Sequence, residues 1–351
     1  PKVRVIVGGL YPRGHGAEGG GYGYIRVLEK FIKAYPDKVK VFTDTQAVKL
    51  IKDEAGKVIG VVGKHDGKDV NFMASKGVII ATGGFGSNVE MRQAKNTGVW
   101  KEVTLDKNIP CTNNFKASQG DGLKLAEQVG ANVINLDDIQ LHPGGTPKTG
   151  IMSSWPSGRN RIFLTPQGDR FVNEDAARDT LCKAIFKEGG NYWIVSNHVK
   201  YPTLDYLSKN LTIGEMIKLG QAFSGNTIEE LAQKTGMDPK KLRASIDTYN
   251  NVVTGKIKED NLGFKKFTQD DKPMTEGPFY ATPMVPAVHH TMGGIQINSA
   301  AQVLDKNGQV IPGLVAAGEV TGGVHGSNRV GGNGIADAMV FGRVSGQSAL
   351  K

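Results

Sequence analysis

Two stretches near the C-terminal end carry the side chains best suited to chemistry. His289-His290-Thr291-Met292-Gly293-Gly294 comes first. Gly318-Glu319-Val320-Thr321-Gly322-Gly323-Val324-His325-Gly326-Ser327-Asn328-Arg329-Val330-Gly331-Gly332-Asn333 follows. An imidazole and a guanidinium, here His289 and Arg329, form a pair suited to gripping a carboxylate. The glycines around them let backbone lie against a flat or phosphorylated ligand, because no Cβ intervenes. Taken singly, a His before Met-Gly-Gly is usually a packed histidine, and an Arg a surface ion pair worth ~0–1 kcal/mol. Their arrival together, inside dense glycine, is what points to a site.

Other elements must position these residues. Tyr24, Ile25, Val27, Leu28, Phe31, Ile32 and Tyr35 recur at helical spacing before Pro36, which predicts an amphipathic helix ended by proline. Four β-rich pieces follow, at 38–42, 46–51, 58–62 and 69–73. Asp53-Glu54-Ala55-Gly56 and Asp66-Gly67 supply turn chemistry between them, so the spacing predicts a β-meander. It leads into Gly77-Val-Ile-Ile-Ala-Thr-Gly83-Gly84, a buried strand ending in paired glycines, and such strand ends bind nucleotides in α/β folds. Gly120-Asp121-Gly122 then opens a helix. From 139 to about 275 the composition shifts to helices at 211–219, 227–235 and 239–253 among polar loops. A turn and strand over 308–319 and a helix from Gly334 to Arg343 complete the pattern.

The bulk composition narrows the function classes. A chain of 351 residues with 39% hydrophobic and 22% charged residues suggests two domains of a globular protein. The apolar runs are too short for a membrane span. The formal net charge of +9 fits a solvated basic surface or the docking of an acidic protein. No aromatic-plus-basic stripe or zinc-finger spacing supports nucleic acid binding. Cys111 and Cys182 form no Cys-x-x-Cys, so no c-type haem, metal site or disulfide framework is expected.

The two C-terminal strings, the Ala-Thr-Gly83-Gly84 step, Gly120-Asp121-Gly122, Gln140-Leu141-His142-Pro143 and Arg170-Phe-Val-Asn-Glu174-Asp-Ala-Ala-Arg178 occur in one order. In that order they resemble the soluble flavoprotein fumarate reductase family, within the succinate dehydrogenase/fumarate reductase flavoprotein group. The resemblance runs from about Gly14 to the last residue. It implies an α/β fold: a Rossmann-like FAD-binding domain over 1–138 and 276–351, with an α+β capping domain inserted at 139–275. The family begins with a Gly-x-Gly-x-x-Gly turn that carries the FAD pyrophosphate. The nearest candidate, the glycine cluster at 14–21, follows Tyr11-Pro12-Arg13 and not a clean buried strand. The first βαβ unit is therefore expected to be absent from this chain, whether cut away, outside the numbering or on a second polypeptide.

The resemblance also implies the chemistry. The family adds hydride from flavin to one carbon of an activated C=C bond, and a side chain protonates the other. Arg329 and His289 match its carboxylate-binding Arg and His, His142 a His at the far end of the substrate, and Arg178 the proton donor. Gly83, Gly84, Asp121, Gly122, Glu319, Asn333, Gly334 and Ile335 match cofactor-binding positions, and Gly332 lies beside the substrate. FAD is expected to be non-covalent, since no His matches the attachment site of the membrane-bound enzymes. Arginine is an unusual acid, but the carbanion-like product is far more basic, and burial near other cations would lower its pKa. Closure of the cap would exclude water and bring Arg178 over the substrate.

The sequence departs from the family where the distal part of the substrate would be read. A Thr-Glu pair and an Arg three residues on, which bind a second carboxylate and relay protons, are Ser153, Ser154 and Ser157 here. Arg159 or Arg161 could take over the relay. Trp155 adds a flat surface beside Ser153. The expected substrate is therefore an unsaturated carboxylate such as fumarate, acrylate, methacrylate, cinnamate or urocanate. The expected electron donor is a separate cytochrome or flavin reductase, in anaerobic respiration. A periplasmic location is expected, with the cytoplasm as the alternative. A ketosteroid-type flavin dehydrogenase and a non-catalytic flavoprotein fragment remain the competing readings.

Overall fold

The apolar run Val78–Ile80 forms a strand that lies parallel to Val310–Ala316, with Gln302–Leu304 antiparallel on that strand's other edge. β-Branched side chains suit such a half-buried pleated surface. The computed structural model describes residues 14–18, 20–112, 117–152, 159–208, 211–266 and 270–351. They group into two compact units. Unit one comprises the chain up to Gly84, Gly120–Leu136 and Met292–Lys351; unit two comprises Phe85–Gln119 and Asp137–Thr291.

Unit one holds the parallel pair, the meander, and the helices Gly21–Ala34, Asp121–Glu127 and Asn333–Ala349. The meander has three strands, Thr45–Lys52, Val58–His65 and Lys68–Met73, paired antiparallel in chain order. Asp66 and Gly67 join the last two with φ of 48° and 76°, the left-handed pair that a two-residue hairpin turn requires. The expected first strand at 38–42 does not form. The amides of Lys38 and Val39 turn back onto the Tyr35 carbonyl, and Val39, Val41 and Phe42 stay exposed. The helix Gly21–Ala34 forms where the apolar spacing predicts it, but buries no residue.

Unit two is organised on one long strand, Phe279–Thr291. Its first half pairs with Tyr192–Asn197 on one edge and Phe223–Gly225 on the other; its second half pairs with Ile139–Gly145. Arg161–Leu164 extends the sheet beyond Tyr192–Asn197. The helix Pro239–Val253 starts at Asp238, whose carboxylate accepts from the amides of Lys240 and Lys241, with proline in the first turn. Leu242, Ile246, Tyr249, Val252 and Val253 pack with Ile162, Leu164, Phe264 and Met274 into the unit's core. The compact units differ from the expected boundaries at 137–138 and at two longer segments. Residues 85–119 join unit two because Cys111 bridges to Val288, and 276–291 join it because the long strand is continuous through them.

A buried ion network lies beneath the segment that precedes Arg178. Glu174 takes both Arg170 Nε, at 2.9 Å, and Arg170 Nη2, at 2.8 Å, and also accepts from the Phe163 amide. Arg170 Nη1 reaches Asp260. Burial works against the Arg170 charge, but Glu174 and Asp260 more than offset it, so its guanidinium is held above the ordinary value. Removing one partner of such a pair strands the other in a dry interior. Glu174→Gln is expected to cost about 3 kcal/mol of stability, read as a lowered urea midpoint with an unchanged slope.

Candidate functional site

Four of the residues singled out from sequence, His142, Arg178 and His289 with Gln140 of the Gln-x-His-Pro string, come together within unit two. Gln140 and His142 sit two apart on Ile139–Gly145, so both project from the same face of that strand. Opposite them the long strand carries a bulge. Val288 pairs with Leu141 and His290 with Gln140, so His289 is the residue left over in the register. A bulge re-aims the side chain it carries. The His289 and His142 rings lie with centroids 4.8 Å apart. The Gly144 amide donates to His142 Nδ1 at 3.0 Å, and Thr112 Oγ1 lies 2.6 Å from His289 Nδ1.

Arg178 is the first residue of the helix Arg178–Lys187. Its Nη1 donates to Gln140 Oε1 at 3.0 Å, which ties the guanidinium to the strand that holds His142. One turn on, burial pushes the Cys182 thiol up, so it packs as an inert group. The arginines that could replace the lost relay are both held by carboxylates. Arg159 contacts Asp175 and Asp271, and Arg161 contacts Asp175 and the Glu174 carbonyl. Ser153, Ser154, Trp155 and Ser157 lie outside the described residues. A recess of about 390 Å³ lined by Phe186, Val285 and Pro286, among others, shares no residue with this cluster.

Unit one gathers the expected cofactor residues. Gly83 and Gly84 follow the carboxyl end of Val78–Ile80, and Gly318 and Glu319 follow that of its parallel partner. The Gly120 amide donates to the Gly84 carbonyl, which brings the start of Asp121–Glu127 to the same strand ends. Gly122 has to be glycine there. A Cβ would lie 2.1 Å from Thr82 Oγ1 and under 3 Å from Ile80 and Val320 side chains. Gly332, at φ 91°, precedes the helix Asn333–Ala349, which begins with Asn333, Gly334 and Ile335 and has no side-chain cap. A Cβ built at Gly326 or Gly332 meets nothing within 4 Å. Backbone with few side chains, at the carboxyl ends of parallel strands and beside uncapped helix amides, fits a flat, anionic cofactor such as FAD.

Arg329 lies in this unit, and burial lowers its pKa against the opposing pull of Glu319 and Asp337. His325 Nε2 is 3.2 Å from Asp337 Oδ2. Thr112, beside His289, and Asp337, beside His325, are residues that the sequence reading did not reach. Asp337 reads as an ordinary helix residue, and Thr112 is far from His289 along the chain.

The family model described as "FAD binding domain" matches residues 8–335. The NADH:acrylate oxidoreductase of Vibrio harveyi is 38% identical over 355 residues, 99% of this chain and 34% of that protein. The urocanate reductase of Eggerthella lenta is 35% identical over 98% of this chain and 55% of its own length. The open conformation of a flavocytochrome c3 fumarate reductase superposes with a TM-score of 0.74 at 32% identity, covering 99% of this chain and 59% of that one. The chain belongs to the FAD-binding domain family and, within it, to the fumarate reductase flavoproteins. It spans between about a third and three fifths of the length of the proteins just named. Among the described residues no helix is long and apolar enough to cross a membrane.

Lys200 gives this region a measurable signature. Its ammonium donates to the Arg159 carbonyl at 3.4 Å. Burial, then the charges of Arg161 and Arg159, lower its pKa from 10.5 to about 7. Below pH 7 the folded chain carries the full cost of that buried charge. Between about 7 and 10.5 the unfolded chain binds more protons than the folded one, so stability rises with pH across this window. Urea unfolding from pH 6.5 upward should show the rise, and Lys200→Met should flatten it.

Proposed function

We propose that this chain is the catalytic flavoprotein part of an enoate reductase. In this reading it saturates the C=C bond of an α,β-unsaturated carboxylate. The observation that carries the proposal is the cluster in unit two, where a Gln140-anchored Arg178 and two adjacent imidazoles, His142 and His289, share one patch of sheet. FAD, when bound, supplies the hydride equivalent to one alkene carbon.

The chain's own residues do the rest. Arg329 pairs with the substrate carboxylate, and His289 and His142 donate hydrogen bonds to it and to the distal polar group. These contacts fix the alkene's position and stabilise the charge that builds beside the carboxylate. Arg178 gives a proton to the neighbouring carbon, so one hydride and one proton convert alkene to saturated acid. The Gln140 carbonyl oxygen steadies the guanidinium for that transfer. Gly83, Gly84, Asp121, Gly122, Glu319, Asn333, Gly334 and Ile335 would hold the flavin without a covalent bond, and Gly332 would leave room for substrate.

The net charge of +9 suits an acidic electron-donor protein, such as a cytochrome or flavin reductase, in a periplasmic setting. The relatives named for acrylate and urocanate support a substrate range wider than fumarate. A neutral steroid has no carboxylate for Arg178 and Arg329 to bind, which disfavours the dehydrogenase reading.

The test is oxidation of reduced viologen by FAD-loaded protein with fumarate, acrylate, methacrylate, cinnamate and urocanate. At least one acid should turn over. Arg178→Ala should keep its flavin spectrum and KM while losing ~10²–10⁴ in kcat. Bound flavin with no turnover of any acid would sink the reading in favour of the dehydrogenase. Protein that takes up no FAD would favour the non-catalytic fragment.

A further inference from the structure

We propose that Thr112 is a positioning residue that, together with the Gly144 amide, locks both site histidines in the tautomer with the proton on Nε2. For His142 the assignment follows from donor chemistry alone. A backbone N–H can only donate, so the His142 nitrogen it meets at 3.0 Å, Nδ1, bears no proton, and the neutral ring carries its proton on Nε2. For His289 the partner is a hydroxyl, 2.6 Å from Nδ1, which can play either role. If a neutral ring donated from Nδ1 to Thr112, Nε2 would be a bare lone pair and would repel a carboxylate. If Thr112 donates to Nδ1, Nε2 becomes a second N–H donor beside the first. The carboxylate reading of the site selects the second arrangement, and the inference for His289 rests on that reading.

Thr112 is placed by backbone, independently of its side chain. Its amide donates to the Val288 carbonyl at 2.8 Å, and the Val288 amide donates to the Pro110 carbonyl at 2.8 Å. Cys111 thereby bridges to Val288 as a one-residue parallel strand, next to the bulge that carries His289. The loop that leads in is held by buried Arg92. It donates to the carbonyls of Leu105, Asp106 and Ile109 as well as Gly86. Two main-chain bonds and a β-branched side chain with few rotamers thus present one hydroxyl to one ring nitrogen. The result is a pair of neutral imidazoles that offers two fixed N–H donors and stores no charge. His289 then recognises the carboxylate by hydrogen-bond direction, and His142 the distal polar group.

The test combines spectroscopy and kinetics on FAD-loaded protein. Long-range ¹⁵N–¹H correlation spectra of ¹⁵N-histidine-labelled protein, assigned with His142→Asn and His289→Asn, read each tautomer directly. Both rings are expected with protonated Nε2. Thr112→Val keeps the branched shape and the main-chain bonds and removes the hydroxyl. It should turn the His289 pattern into a tautomer mixture. It should also raise KM for the reduced acid about tenfold, with kcat within about twofold of wild type. Thr112→Ser should restore both. A His289 ring protonated on Nδ1 in the wild type, or a Thr112→Val protein with unchanged spectrum and KM, would overturn the proposal. So would a Ser variant that behaves like the Val variant. Failure of the wild type to reduce any acid would instead count against the enoate reading, while the spectra decide the tautomers by themselves.

Discussion

Main-chain polar groups in a dry interior must find partners, and in unit two a single strand meets that demand for much of its surroundings. Phe279–Thr291 is paired with three other strands and bridged by Cys111, and it breaks register where His289 sits. Regular pairing would have set His289 opposite a residue of Ile139–Gly145 and aimed it by the pleat. One unmatched residue turns it toward His142 instead. The bulge therefore sets the spacing of the two imidazoles more directly than any side-chain contact.

Arg178 depends on a different kind of constraint. Its helix begins just after a segment pinned by Glu174, which binds the Arg170 guanidinium with both oxygens and caps the Phe163 amide. Charge buried this way is costly unless every partner is present, so the segment has one low-energy arrangement. Gln140 completes the placement with a neutral oxygen. A carboxylate there would have tied the guanidinium into a salt bridge and opposed the acid role proposed for it. Arg159 and Arg161, earlier in the chain, are in fact committed to carboxylates.

Much of this was legible in the sequence where the signal is local. Pro239–Val253 is announced by Asp238, by proline at its start and by apolar residues at helical spacing, and it forms with those bounds. Asp66-Gly67 names its own turn, and the Gly120 amide that opens the helix Asp121–Glu127 meets the Gly84 carbonyl. Local signals also misled. Val39, Val41 and Phe42 alternate like a strand, but among the described residues no strand pairs with them, and the alternation alone does not supply one. Thr112 could not be found this way, because its role depends on a backbone bridge to Val288 from a distant part of the chain. The exchange of a titratable pair for Ser154 and Ser157 was visible, but its consequence depends on residues that act through tertiary contact.

The parallel pairing of Val78–Ile80 with Val310–Ala316 has a kinetic consequence as well. Its two strands are far apart in the chain, and all of unit two lies between them in sequence. Bringing such strands together costs more conformational freedom the longer and looser the intervening segment is. A segment that has already condensed is a much shorter tether. During synthesis, the flavin-side sheet must therefore wait for its C-terminal strand, while the intervening sheet and helices can condense as soon as they are complete. The cradle for the cofactor is the last part of this chain to be assembled.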